Sequence, residues 1–392
     1  ASLLSLHSPA LARAAWKERI DGIVRGRAIG VAVREAGTTL YRHAATRRRV
    51  PASNQKLLLT MALLDRVGAE FSFTTSAAAA ESPEDGVVDG DLWLLGRGDP
   101  TLSSERRYTR SLPVDTTKIK SLAGAVREAG ITRIRGSVIG STSYFARDWF
   151  AIGWKAGYPR DECPLPSALA INGNVNDGGN HVSDPEIRAA RSLSQRLEKM
   201  GIRVSGPPGA AEEPPGLEEI ASVLSEPLPS ILQHLNVNSS NFFAEMLGKR
   251  LAVEARGRPG TIAKGAGAVE GWADRNGVTV IAHDASGLSY QNRVSPLGMV
   301  RLLGRVEHEE WIDPFRGTLA RADEGTLENR LNGVRVRAKT GTLDKVSTLS
   351  GYVWLRSRDV WGEFSIMSSG MEKTTAADIE NRIVRILTRS AG

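Results

Sequence analysis

Ser53 and Lys56 stand three residues apart in PASNQKLLLT (residues 51–60), at the opening of an apolar run that continues through Leu57, Leu58, Leu59, Met61, Leu63 and Leu64. On a helix, residues at this spacing share a face, so a hydroxyl and an amine meet one turn apart. Two readings follow. Ser53 can cap the helix while Lys56 decorates its first turn. Alternatively, the serine oxygen attacks an acyl carbon and a buried lysine, its ammonium disfavoured by desolvation, takes the proton. A helix cap can also be a nucleophile, so the first reading does not exclude the second.

A nucleophilic serine needs a base, a route for the proton and donors for the oxyanion. A histidine base finds no support. His7, His43, His181, His234, His283 and His308 sit in no recognisable motif, and neither G-x-S-x-G nor H-E-x-x-H nor a P-loop pattern occurs. A lysine base finds more. LNVNSSNFFAEML supplies Ser239, Ser240 and Asn241 in a stretch that reads as helical. VRAKTGTL supplies Lys339, Thr340 and Gly341 on a strand, where the glycine permits close backbone approach. Each tripeptide alone is a weak signal. All three in chain order, each on its expected element, form a strong one.

The elements that must position these residues are legible at both chain ends. Residues 10–25 read as an amphipathic helix with Ile20 and Ile23 on its apolar face, 28–44 as a strand, turn and strand, and 53–66 as the Ser53 helix. GVRVRAKTG, STLSGYVWL and DVWGEFSIMSS read as three strands, and TAADIENRIVRIL as a closing helix. Strands at both ends predict one antiparallel sheet completed by the two termini, with the middle as an insertion. The expected division is residues 1–64 and 217–392 as one discontinuous domain and 65–216 as the inserted one. DLWLLG and RIRGSVIG read as short strands of the insertion, 184–201 as a helix, and PPGAAEEPPG (207–216) as a linker.

Bulk properties bound the function only loosely. The 392 residues carry a net charge of +7, which suits an anionic partner such as a wall polymer, and no nucleic-acid-binding motif accompanies it. Cys163 is the sole cysteine, so no intramolecular disulfide and no cysteine-based metal site can form. No run approaches the roughly 18 apolar residues of a membrane span. The first residues lack the pattern of an intact signal peptide, which leaves a cytosolic protein or a leader absent from this chain.

These motifs together resemble the penicillin-recognising serine enzymes, and specifically the class C low-molecular-mass penicillin-binding proteins, the D-alanyl-D-alanine carboxypeptidase/endopeptidase family (peptidase S13). PASNQKLLLT is similar to that family's nucleophile helix, and GDLWLLGRGDPTL (90–102) to its Gly-Asp-Pro-Thr-Leu segment. SALAINGN resembles its strand in the insertion, and DASGLSYQNRVSP (284–296) its Asp-x-Ser-Gly-Leu-Ser segment. The long interval between Ser53 and Ser239 agrees with a large insertion. One departure stands out: the chain passes almost at once from INGNVNDGGN to the 184–201 helix, where family members often carry a further β-insert. The resemblance implies an α+β fold, a β-lactamase/transpeptidase-like domain whose antiparallel sheet is flanked by helices, with a large inserted α/β domain.

The resemblance also implies roles. Ser53 attacks the penultimate D-alanine carbonyl of a peptidoglycan stem peptide, with Lys56 as base, kept neutral by burial and by the Lys339 cation. Ser239 passes the proton to the leaving amine, with Ser240 as its one-residue alternative, and Asn241 binds the substrate amide. Lys339, Thr340 and Thr342 bind the terminal carboxylate on a strand opened by Gly341, and the backbone N–H groups of Ser53 and Thr342 form the oxyanion hole. No metal or cofactor is called for, β-lactams are expected as covalent inhibitors, and the location is extracytoplasmic. Trp149, Trp154 and Tyr158 are candidates for a side-chain pocket, with core packing as the alternative. Arg97, Gly98 and Asp99 read as a turn. ENRLN (328–332) imitates the motif of the deacylating base in class A β-lactamases, lies too close to Lys339 in sequence to match it, and reads as a helix face. The rivals are a β-lactamase, esterase or amidase on the same scaffold, and a non-catalytic wall-binding protein.

Overall fold

The β-patterned runs at the two chain ends pair with each other. The computed structural model describes residues 9–176 and 178–390. In it, one five-stranded sheet runs in the order Val336–Leu343, Val346–Leu355, Val360–Ser369, Ile29–Glu35, Thr38–His43. Every pairing is antiparallel, and Val31 lies opposite Ile366 where the two ends of the chain meet. Helices Pro9–Val24 and Lys373–Ser390 cover one face, burying Trp16, Ile20, Ile383 and Leu387 against Val31, Val353 and Ile366. The opposite face packs on helices Gln55–Val67 and Pro296–Arg305 through Leu57, Met299, Leu303, Tyr352 and Met367. Each fully buried aliphatic or aromatic side chain contributes roughly 1.5–3 kcal/mol, so both faces hold the sheet firmly.

Helix Gln55–Val67 is apolar on all sides because it has no solvent side: every residue from Gln55 to Leu64 is buried. Helix Asn241–Arg256 packs beside it, and Gly68, at φ +81°, ends it with its N–H on the Leu64 carbonyl. A lysine at the second position of such a helix is therefore enclosed whatever its chemistry.

The middle of the chain builds two further sheets. Five strands run in the order Glu218–Leu224, Thr74–Ala79, Leu92–Leu95, Val138–Ser141, Gly209–Ala211, antiparallel at first and then parallel. Val87–Val88, Arg133–Ile134 and Arg203–Val204 form a small parallel sheet. Helices Ile119–Glu128 and Pro185–Lys199 pack on this region through Leu122, Val126, Leu193 and Leu197.

Several expectations need correction. The boundary expected at residue 217 lies too early, because Glu218–Leu224 hydrogen-bonds along Thr74–Ala79 and so belongs to the inserted sheet. The Pro/Gly-rich stretch 207–216 is not a linker. Its Gly209–Ala211 is a strand on Val138–Ser141, and Glu213 accepts from Ser141 and forms ion pairs with Arg97 and Arg258. Composition misleads here because the parallel pairing uses backbone alone. SALAINGN is not a strand either: it runs irregularly to a 3₁₀ turn at Asn172–Asn174, Gly173 being at φ +65°. ENRLN is no helix face, since Asn329 and Leu331 take left-handed φ values of 59° and 58° and Glu328 is exposed in a turn.

Candidate active site

Ser53 lies in a 3₁₀ turn, Ala52–Asn54, that leads directly into helix Gln55–Val67. It is not the cap: the helix start has no side-chain cap bond, and the Ser53 hydroxyl oxygen accepts instead from the Lys56 amine at 2.9 Å. Ala52, just before it, is held at φ 46°, a left-handed conformation that a non-glycine residue adopts only under constraint. Lys56 is fully buried, and its three ammonium protons have three acceptors: Ser53 Oγ, Asn241 Oδ1 at 2.9 Å and the Ser286 carbonyl at 2.6 Å. Burial pushes its pKa down from 10.5 to about 8, while the Asp284 and Glu245 carboxyls pull the other way. An amine so placed is within reach of neutrality at ordinary pH.

The stretch read as one helix around Ser239 is broken at that residue. Ser239 sits at φ 59° between helices Leu228–Asn238 and Asn241–Arg256. Ser240 caps the second helix, its oxygen accepting from the Phe243 N–H at 3.3 Å. The Ser240 hydroxyl is thus committed to the backbone, whereas Ser239 faces the same cavity as Ser53. Asn241, the first residue of the second helix, reaches Lys56 with its carbonyl oxygen and Glu162 with its amide nitrogen.

The third motif arrives on strand Val336–Leu343. Asn54 fastens it to the Ser53 turn, donating to the Lys339 carbonyl at 2.7 Å and accepting from Ser350 at 2.7 Å. Gly341 is required there, because a Cβ on it would lie 2.9 Å from the Ser53 nitrogen and 2.3 Å from Thr348 Oγ1. This close approach brings the strand to the Ser53 N–H. Lys339 is also fully buried, its amine donating to the Thr340 carbonyl at 2.9 Å. Burial, and then the charge of Lys56, hold its pKa well below the usual lysine range. The charge of Lys56 depresses Lys339, whereas burial is what pushes Lys56 down, so Lys339 is not the reason that Lys56 is depressed. Thr340 donates to Thr326, and Thr342 is exposed.

A cavity of about 550 Å³ opens over Ser53, lined also by Ser239, Asn241, Thr340, Thr342 and Tyr158. Of the three aromatic candidates, Tyr158 lines it, together with Tyr290. Trp154 is instead buried, its indole N–H donating to Asp284 at 2.7 Å, and Trp149 turns its N–H to the Cys163 carbonyl. Those two are scaffold, tied by their own donors. A larger hollow of about 780 Å³ between Arg34, Trp361 and Glu363 lacks a serine beside a buried lysine, so size does not select the site.

Loop 284–292 is the part that motif spacing did not assign. Asp284 accepts from Gly287 N, Ser289 N, Asn292 and Trp154, and its backbone carbonyl accepts from Gln55. This polar hub aims the Ser286 carbonyl at Lys56. The signal available in sequence was the DASGLS resemblance alone, which carries no hint that a backbone oxygen acts.

The model of the D-Ala-D-Ala carboxypeptidase 3 (S13) family matches residues 9–177 and 164–390. The chain belongs to this family. It is a serine-type peptidase of the S13 group. A D-alanyl-D-alanine carboxypeptidase of Actinomadura sp. (strain R39) is 27% identical over 486 residues, covering 98% of this chain and 88% of that one. Among solved structures, penicillin-binding protein 4 of Haemophilus influenzae superposes with a TM-score of 0.79 at 21% identity, covering 94% of this chain and 99% of that one. A penicillin G-acylated predatory endopeptidase of Bdellovibrio bacteriovorus, bound to its immunity protein, superposes with a TM-score of 0.55 at 15% identity, covering 92% of each chain. The S13 chain thus has the penicillin-binding-protein fold expected of it, an α+β domain carrying a large insertion.

Proposed function

We propose that this S13 peptidase cleaves the D-alanyl-D-alanine bond of peptidoglycan stem peptides through an acyl-serine intermediate. The observation that carries the reading is the fully buried Lys56 amine, 2.9 Å from Ser53 Oγ. Ser53 Oγ attacks the penultimate carbonyl carbon, and its proton passes to neutral Lys56. The Ser53 and Thr342 N–H groups receive the oxyanion. As the peptide C–N bond breaks, Ser239 hands its proton to the leaving amine and takes one back from the Lys56 ammonium, so that D-alanine departs and Lys56 is neutral again. Water then hydrolyses the Ser53 ester, the proton returning through Lys56. Lys339, Thr340 and Thr342 receive the substrate carboxylate at the strand, and Asn241 its amide.

β-Lactams present the same acyl carbon and carboxylate, and a penicillin adduct of a structural relative supports their capture at Ser53. Such a substrate lies outside the cytoplasmic membrane, so the working location is extracytoplasmic. No helix among the described residues is long and apolar enough to cross a membrane.

Intact-mass spectrometry after incubation with benzylpenicillin tests the reading. The expected result is one acyl adduct that is absent from Ser53→Ala. Antibiotic turnover without an adduct would indicate a β-lactamase, and neither adduct nor turnover would remove Ser53 from catalysis.

A further inference from the structure

Glu245 is buried one helical turn beyond Asn241 on helix Asn241–Arg256, at a position where an apolar residue would ordinarily pack. Its Oε1 accepts from two consecutive backbone N–H groups, Ala285 at 3.1 Å and Ser286 at 2.8 Å. The carbonyl of that same Ser286 accepts from Lys56. One helix therefore reaches the lysine twice, directly through Asn241 and indirectly through Glu245 and Ser286. The contact is tight on both sides. A Cβ on Gly248 would lie 2.5 Å from the Ala285 Cβ, and one on Gly287 would lie 1.9 Å from the Ala52 carbonyl oxygen. The 285–287 backbone is wedged between the Glu245 helix and the Ser53 turn, and Glu245 closes it from behind. Its second oxygen, Oε2, is buried without a hydrogen-bond partner.

We propose that Glu245 is a positioning residue for the peptidase chemistry: it fixes the Ser286 carbonyl that holds the Lys56 amine, and its charge opposes the neutral form of that amine. The inference rests on Lys56 acting as the base. The groups facing Lys56 are Glu245 from its helix, Asp284 from the loop, Lys339 from the strand, and Cys163 and Glu162 from the insertion. Burial drives the Cys163 thiol well up, so it stays neutral, and the Glu162 side chain is exposed. Burial, with Asp284 adding, pushes Glu245 up to about 8, so near neutral pH it is largely protonated and leaves Lys56 free to lose its proton. An ionised Glu245 would do the reverse, because opposite charge nearby favours the ammonium.

The test is the pH profile of benzylpenicillin acylation in the full chain for wild type, Glu245→Gln and Glu245→Ala. Glutamine keeps an acceptor for both N–H groups and cannot ionise. Its rising limb is expected to move to lower pH by about half a unit or more, so that the rate at pH 7, on that limb, rises about threefold or more. Alanine releases the loop, and its rate is expected to fall about 10- to 100-fold. A glutamine limb at the wild-type pH overturns the proposal, since a merely structural glutamate would leave it unmoved; so does an alanine variant that acylates like wild type. If alanine fails to fold, the glutamine limb decides alone. A wild type that is never acylated defeats the functional reading itself, an outcome distinct from an unmoved limb.

Discussion

Replacing Lys56 by methionine is expected to lower the rate of Ser53 acylation by about 10³-fold while leaving the protein folded. With a pKa of about 8, Lys56 is neutral in about one molecule in ten at pH 7, whereas an ordinary lysine at 10.5 would be neutral in about one in 3,000. In the wild type, acylation should therefore climb as pH rises through about 8, and the variant should lose that limb. The sign for stability is opposite to intuition. A depressed lysine pKa means that the unfolded chain holds more protons between about pH 8 and 10.5, so stability rises with pH across that window and is penalised below it. Removing the amine relieves a cost of about 3 kcal/mol at pH 7. Against this, the Ser286 carbonyl loses a donor, at about 1–3 kcal/mol. The two nearly offset, so the thermal midpoint should move by no more than a few degrees. Stopped-flow acylation over a pH series, with thermal unfolding beside it, measures both. A methionine variant acylated at the wild-type rate would remove Lys56 as the base.

The contrast between what the sequence reveals and what it hides follows the physics of each residue. Ser53, Lys56, Asn241 and Lys339 carry side chains whose types are diagnostic, and their spacing places them on elements that the apolar pattern already predicts. The terminal sheet is legible for the same reason, since its strands alternate or run apolar between clear turns. The supports are different. Asn54 joins the Ser53 turn to Lys339 and Ser350 across nearly 300 residues of chain, and Ser286 acts through a carbonyl that every residue possesses. Neither has a local signature. Glu245 hides inside an apolar helix pattern, and Trp154 lies in an irregular segment where its burial could be foreseen but its bond to Asp284 could not. Backbone conformation misled most where it departs from its surroundings: at Ser239, left-handed between two helices, and in 207–216, a strand with a loop's composition.

Gly287→Ala should be among the most damaging single changes available outside the reacting residues. The new Cβ would lie 1.9 Å from the Ala52 carbonyl oxygen, 2.4 Å from its carbon and 3.0 Å from the Ser53 nitrogen. These are backbone atoms of the Ser53 turn, not the flexible end of a side chain, and Gly287 also holds φ +88°, which alanine adopts poorly. Ala52 is itself already at φ 46°, so the turn has little freedom to yield. A destabilisation of about 4 kcal/mol or more is expected from urea denaturation. Gly124→Ala, in helix Ile119–Glu128 with nothing within 4 Å of its Cβ, provides the contrast and should stabilise by up to about 1 kcal/mol. The two consequences of Gly287→Ala can be separated, because acylation can be followed below the unfolding transition, where near-UV circular dichroism reports native packing. Within that folded population the rate should still fall about 100-fold, because the peptide bond that must shift carries the Ser286 carbonyl on one side and abuts Ser53 on the other. If folded Gly287→Ala is acylated normally, loop 284–292 does not set the Ser53–Lys56 geometry, and the lysine must owe its position to Asn241 alone.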